Sequence, residues 1–123
     1  MNAPDRDEMF NVDELVQKKV TVEMDTKIPN AATVIIAKEG HTLGNLLRYQ
    51  LLENPRVTFA GYKVPHPLKY EVHIKVQTTG MDYPPQHAVN DAIELLVGKF
   101  ANLTGQFERE FTNHSMQYGG GNY

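Results

Sequence analysis

Between Ala88 and Phe111 the apolar positions Val89, Ile93, Leu96, Phe100, Leu103 and Phe107 follow one another at intervals of 4, 3, 4, 3 and 4 residues. That spacing is a heptad seam on one long α-helix. At 3.6 residues per turn all six positions fall within about 80° of one another, so the helix carries a single apolar edge over nearly three repeats. Phe111 extends the edge one place off register. Gly98 and Gly105 lie on the opposite side, where each costs about 1 kcal/mol relative to alanine without interrupting the seam. Pro84-Pro85 suits the entry to this helix, because the first amide hydrogens of a helix have no partner in any case. A helix of about 27 residues is roughly 40 Å long, whereas a compact domain of this size is about 35 Å across. Its far end, with Leu103, Phe107 and Phe111, is therefore expected to overhang. Exposed aromatic residues there call for cover, most simply a helix from a second chain; the alternative is a tail folded back over the last turns.

The rest of the chain reads as a sheet with a shorter helix. Val20, Val22 and Met24 alternate with Thr21 and Glu23, the pattern of a half-buried strand. Asp25 to Asn30 is a turn, and Ala32 to Lys38, apolar on both faces, is a central strand. Glu39-Gly40 ends it, and Thr42 is placed to cap a helix that runs to about Glu53 and stops before Pro55. Leu43, Leu46, Leu47 and Leu51 form one stripe of that helix, while Tyr49 and Leu52 make its outer side apolar as well. Val57 to Val64 is a third strand, in which Gly61 suggests a bulge or a close backbone approach. Pro65-His66-Pro67 forces a corner, and from Tyr70 to Thr79 Val72, Ile74 and Val76 alternate with Glu71, His73 and Lys75. The expected fold is α+β and two-layered, β-β-α-β-β-α, with a four-stranded antiparallel sheet covered on one face by two helices. A polar arm (1–18), with a helical turn near Val12 to Val16, precedes the domain (19–112), and a flexible Gly-rich tail (113–123) follows it.

Much chemistry is excluded. With no cysteine among 123 residues, disulfides, thiolate nucleophiles and cysteine-ligated zinc are ruled out. The net charge of −3 leaves no basic field for phosphate backbones, so contact with DNA or RNA is at most indirect. Neither a signal peptide nor an apolar run of the ~20 residues that span a bilayer is present, and the expectation is a soluble intracellular protein without a membrane role. His41, His66, His73, His87 and His114 make no His-Glu-x-x-His pattern, and phosphate-binding and nucleophile-elbow motifs are missing. No catalytic residue, cofactor or metal is expected.

Gly40-His41-Thr42-Leu43-Gly44-Asn45-Leu46-Leu47-Arg48 resembles the signature of the α-subunit dimerisation motif of DNA-directed RNA polymerases, versions of which occur in bacterial α and in the archaeal and eukaryotic small α-like subunits. Phe59-Ala60-Gly61-Tyr62-Lys63-Val64-Pro65-His66-Pro67-Leu68 is similar to the strand and corner of the eukaryotic members, and Ala60 and Lys63 are most like the polymerase II branch. The likeness covers about residues 1 to 112, while the Gly-rich tail departs from the family.

The resemblance implies the same β-β-α-β-β-α fold and a non-catalytic core subunit of nuclear RNA polymerase II. It implies pairing with the larger α-like subunit, the third, through a shared helical bundle. That heterodimer would be the platform for the second-largest subunit and small zinc-binding subunits. On this reading Gly44 lets a partner helix approach, or is a mere helix defect; Arg48 contacts another subunit, or is a solvated charge. Leu43, Leu46 and Leu47 divide between core and interface in proportions the sequence leaves open. Leu96, Phe100, Leu103 and Phe107 form the interface seam. His41, Thr42 and Asn45 shape the helix start, and Phe59, Gly61, Tyr62, Pro65, His66 and Pro67 shape the strand and corner, the corner from Tyr62 to Leu68 being a core plug or a docking edge. Three other readings stay open. One is an α-like subunit of another nuclear or archaeal polymerase, one a homodimeric small-molecule-binding module with a concave apolar pocket, and one a small enzyme using His66 and His73.

Overall fold

The computed structural model describes residues 19–117, in the order β1 (Val20–Met24), β2 (Ala31–Ala37), α1 (His41–Leu52), β3 (Val57–Lys63), β4 (Glu71–Thr78) and α2 (Pro85–Gln117). The arm over 1–18, with its expected helical turn, and residues 118–123 lie outside the described residues. The sheet has the order β1-β2-β4-β3 and every neighbouring pair is antiparallel. The expected α+β architecture is the one the chain adopts, with β2 inside the sheet.

The core follows from the register. Ala32, Val34 and Ile36 of β2 stand opposite Val76, Ile74 and Val72 of β4, and all six are buried. Ala60 and Tyr62 of β3 continue the same rows on the far side of β4. α1 lies over β3 and β4 and sets Leu47 and Leu51, both fully buried, against that face. The opposite face carries Thr33, His73, Lys75 and Gln77. Glu71 belongs to this wetter row yet is buried; it accepts a hydrogen bond from His73 Nε2 at 2.9 Å and faces Lys69 Nζ at 3.6 Å. The His73 bond, with Lys69 adding to it, holds the Glu71 carboxyl below its ordinary range.

β2 is bracketed by two residues in the left-handed region, Asn30 at φ 56° and Lys38 at φ 59°. The Asn30 carbonyl accepts from Thr78 N at 2.9 Å, and Lys38 N donates to the Tyr70 carbonyl at 2.6 Å.

Several local expectations are corrected. The alternating side chains of β1 are not half-buried: all five of its residues are exposed. The irregularity in β3 falls between Val57 and Phe59, not at Gly61. At Gly61 the Phe59 ring lies so close that an added Cβ would stand 3.2 Å from its Cζ. The start of α1 has Gly40 at its cap position and no side-chain cap bond, so Thr42 sits inside the first turn and is exposed.

α2 is a 33-residue helix, longer than the seam alone predicts. It continues through Asn113-His114-Ser115-Met116-Gln117, a stretch without glycine or proline, so residues 113–117 are helical rather than tail. The chain divides within this helix into one compact unit reaching to Ala92 and another beginning at Ile93. In the first unit α2 buries Pro85, Ala88, Val89 and Ala92, and Gln86 Nε2 lies 3.2 Å from Met24 Sδ.

Candidate partner-binding surface

The seam of α2 begins buried and ends exposed. Val89 is buried, Leu96 is half-buried, Phe100 is 49% exposed, Leu103 59% and Phe107 71%. Ile93 and Phe111 on the same edge are exposed too. An aromatic and aliphatic edge of this length facing water is unfavourable, since fully burying one such side chain is worth about 1.5–3 kcal/mol. α2 from Ile93 onward thus has the chemistry of half an interface. Its polar side, with Glu94, Lys99, Glu108 and Arg109, suits solvent.

α1 has two differently used sides. Leu47 and Leu51 enter the core, Leu43 and Leu46 are half-buried, and Tyr49 and Leu52 stand outside in water. Leu47 is therefore a core residue and not an interface residue. Gly44 is corrected as well: it is buried, and a Cβ there would meet Tyr62 and Val72 of the chain's own sheet at under 3 Å. The close approach it permits is between α1 and its sheet, because the Tyr62 ring occupies the space beside it.

The structure gathers His41, Asn45, Arg48 and Tyr62 at this end of α1. His41 Nδ1 lies 3.2 Å from the Tyr62 hydroxyl, with the two rings edge to face at 5.7 Å. Arg48 donates to Asn45 Oδ1 at 2.8 Å, and its guanidinium carbon sits 5.0 Å from the Tyr49 ring centre and 6.0 Å from that of Tyr62. Arg48 is thus a held residue rather than a freely solvated charge, and its Nε is buried without a partner among the described residues. The corner is no core plug: His66, Pro67 and Leu68 are exposed, and Pro65 is half-buried. His73 is engaged by Glu71 while His66 is not, and among the described residues no cluster of His, Cys, Asp or Glu could hold a metal.

A polar network at the base of α2 escapes a reading by motif. Arg56, after β3's entry proline, makes a two-pronged ion pair with Asp82 at 2.8 and 2.9 Å and lies 4.9 Å from the Tyr83 ring centre. The Tyr83 hydroxyl accepts from Asn54 Nδ2 at 2.8 Å and donates to the Asp91 carboxylate. Burial, then the Asp91 bond, push the Tyr83 phenol above its usual range, and Arg56 holds Asp82 below its own. The only sequence signal for this network is Tyr83 directly before Pro84-Pro85.

Comparison with known proteins shows the family. Residues 31–106 match the family described as the RNA polymerase Rpb3/Rpb11 dimerisation domain. A Caenorhabditis briggsae protein called a probable DNA-directed RNA polymerase II subunit RPB11 is 50% identical over 84% of this chain and 82% of its own. The Dictyostelium discoideum DNA-directed RNA polymerase II subunit rpb11 is 46% identical over 87% of this chain and 88% of its own. Among solved structures, the RNA polymerase subunit L of Thermoplasma acidophilum superposes with a TM-score of 0.62 at 26% identity, over 80% of this chain and 96% of that one. The matched span runs from the start of β2 to the last turns before Phe107, so it contains α1 and most of the seam.

Proposed function

The chain belongs to the RNA polymerase Rpb3/Rpb11 dimerisation-domain family, and from that premise we propose that it pairs with the larger α-like third subunit through the exposed seam of α2. It is a core subunit of DNA-directed RNA polymerase II, as its relatives over more than four-fifths of the chain are. The observation that carries the pairing is the run Phe100, Leu103, Phe107, apolar and open to water at heptad spacing. Two such helices, one from each subunit, bury their edges against each other by knobs-into-holes packing. The outer side of α1, with Leu43 and Leu46 half-buried and Tyr49 and Leu52 exposed, offers a second apolar contact of its own.

The role in the enzyme is structural: the subunit supplies an interface and no catalytic group. The heterodimer is the platform on which the second-largest subunit and small zinc-binding subunits gather, and Arg48 contacts one of them, a reading supported by its being held by Asn45 and two tyrosine rings. Residence in the nucleus follows from work in a nuclear polymerase. The test is light scattering of the chain alone and after co-expression with the third subunit. A 1:1 complex that is lost on Phe100→Ala with Phe107→Ala supports the pairing. A monomer indifferent to the third subunit refutes it.

A further inference from the structure

α2 stands on a short root. Its buried residues are Pro85, Ala88, Val89 and Ala92, all before Ile93. At about 100° per residue the seam positions Ile93, Leu96 and Phe100 fall within about 40° of Val89 around the helix axis. Pro85, Ala88 and Ala92 lie about 40–100° to one side of it, and Asp91 lies about 160° away, on the back of the helix. Ala88 and Ala92 let the root come close to its neighbours, but apolar contact is non-directional. Packing of two methyl groups therefore sets the depth of the helix better than its rotation. A directional hold exists on the back. The Tyr83 hydroxyl donates to the Asp91 carboxylate and accepts from Asn54 Nδ2 at 2.8 Å. Asn54, just past the end of α1, is itself fixed: its Oδ1 accepts from Arg56 N at 2.9 Å, and its N donates to the Leu51 carbonyl at 3.1 Å. The Tyr83 ring is braced by the Arg56 guanidinium at 4.9 Å and meets the His87 ring edge to face at 6.5 Å. Arg56 in turn is anchored by Asp82 and by Thr79 Oγ1 at 3.3 Å. One phenol oxygen thus joins the end of α1 to the second turn of α2.

We propose that this phenol clasp is a positioning device for partner binding: it fixes the rotation of α2 about its own axis and so aims the seam, which makes Tyr83, Asn54 and Asp91 determinants of affinity for the third subunit although none of them lies on the seam. This rests on the pairing proposed above. α2 is one continuous helix from Pro85 to Gln117, so a roll at its root turns every later seam position by the same angle. Knobs enter holes only when the two edges face each other. With the clasp open, the free chain holds the competent rotation for only a fraction of the time, and the apparent affinity falls by that fraction. Such a loss appears in the association rate. Dissociation reflects contacts made inside the complex, and a contact residue that is removed shows itself there instead.

The test measures association and dissociation rates with the third subunit for full-length Tyr83→Phe, Asp91→Ala and Asp91→Asn, each well below its own melting temperature. Tyr83→Phe removes the bridging oxygen and keeps the ring beside Arg56. Asp91→Ala removes the acceptor while favouring the helix, so a slower complex cannot be traced to a weaker helix, and this variant guards against misfolding of the first. Asp91→Asn still offers an oxygen to the phenol. Tyr83→Phe and Asp91→Ala are expected to slow association about 5- to 20-fold, with dissociation changed less than about 2-fold. Combined, they should act no more strongly than either alone, since both open the same bond. Asp91→Asn should stay within about 2-fold of the parent. An effect of Asp91→Ala without one of Tyr83→Phe overturns the clasp, by giving Asp91 a direct contact with the partner. A loss confined to the dissociation rate overturns it too. If Phe100→Ala with Phe107→Ala abolishes pairing while the clasp variants associate as the parent does, the clasp alone fails; if neither set acts, the pairing itself is wrong.

Discussion

Replacing Gly44 by alanine separates packing within the subunit from packing between subunits. The new Cβ would stand 2.6 Å from Tyr62 Cδ2 and 2.9 Å from both Tyr62 Cγ and Val72 Cγ2. Carbon atoms in good contact are about 3.5–4.0 Å apart, so about 1 Å of clearance is missing. Neither neighbour can yield cheaply, since the tyrosine atoms are at the root of a ring held by His41 and Val72 is a buried residue of an inner strand. α1 must lift instead. Overpacking of this kind costs about 1–3 kcal/mol, and alanine recovers about 1 kcal/mol of helix propensity. The net loss is up to about 2 kcal/mol, or a melting temperature lower by up to roughly 10 °C. Gly98→Ala and Gly105→Ala are the matched controls: a Cβ at either meets nothing within 4 Å, so each should gain up to about 1 kcal/mol. Urea and thermal unfolding followed by circular dichroism measure all three. A Gly44→Ala variant as stable as the parent, but unable to bind the third subunit, would refute the packing assignment and return Gly44 to the interface.

Thr42→Ala should change stability by less than about 0.5 kcal/mol, because no cap bond is lost; a loss near 1 kcal/mol in urea unfolding would show that Thr42 caps α1 after all. Tyr83→Phe removes the bonds to Asn54 and Asp91 together and should cost about 1.5–3 kcal/mol, the range for a hydrogen bond to a charged group; an unchanged urea midpoint contradicts the network. Glu71 titrates below its ordinary value because of His73 and Lys69, so its contribution is complete above about pH 4.3 and is lost as pH falls through the lowered folded value. Glu71→Gln should therefore flatten the acid limb of the melting profile, and an unaltered limb between pH 5 and 3 contradicts this.

The sequence carries most of the fold because period and punctuation agree in most segments. The alternation of Val72, Ile74 and Val76, the stop at Gly40 and Pro55, and the seam from Val89 to Phe107 each point to one element. What escaped depends on what lies opposite. Gly44 reads equally as a gap for a foreign helix or for Tyr62, since the sequence does not reveal which side of α1 meets the sheet. Leu47 and Leu46 are neighbours on one stripe, and only the placement of α1 over β3 and β4 sends the first to the core and leaves the second half open. The Arg56–Asp82 and Tyr83–Asp91 contacts join segments far apart in the chain, where no local period links them. β1 misled for another reason: its alternation is real, but the cover it implies is not supplied by the chain's own described residues.

The two left-handed residues that flank β2 bear on how the sheet finds its alignment. A strand apolar on one face is aligned by that face, because a slip of one residue would turn its apolar side chains into water. β2 has little of that safeguard, with Ala31, Ile35 and Ala37 beside Thr33 on one side and Ala32, Val34 and Ile36 on the other. Slipped by one, it would still present aliphatic side chains to either neighbour. Asn30 and Lys38 act as end stops: the reversal of φ at each closes the ladder there, and both backbones are tied to the residues that bound β4, Thr78 and Tyr70. The alignment of the central strand is thus set at its two ends, by backbone handedness, rather than along its length by hydrophobicity.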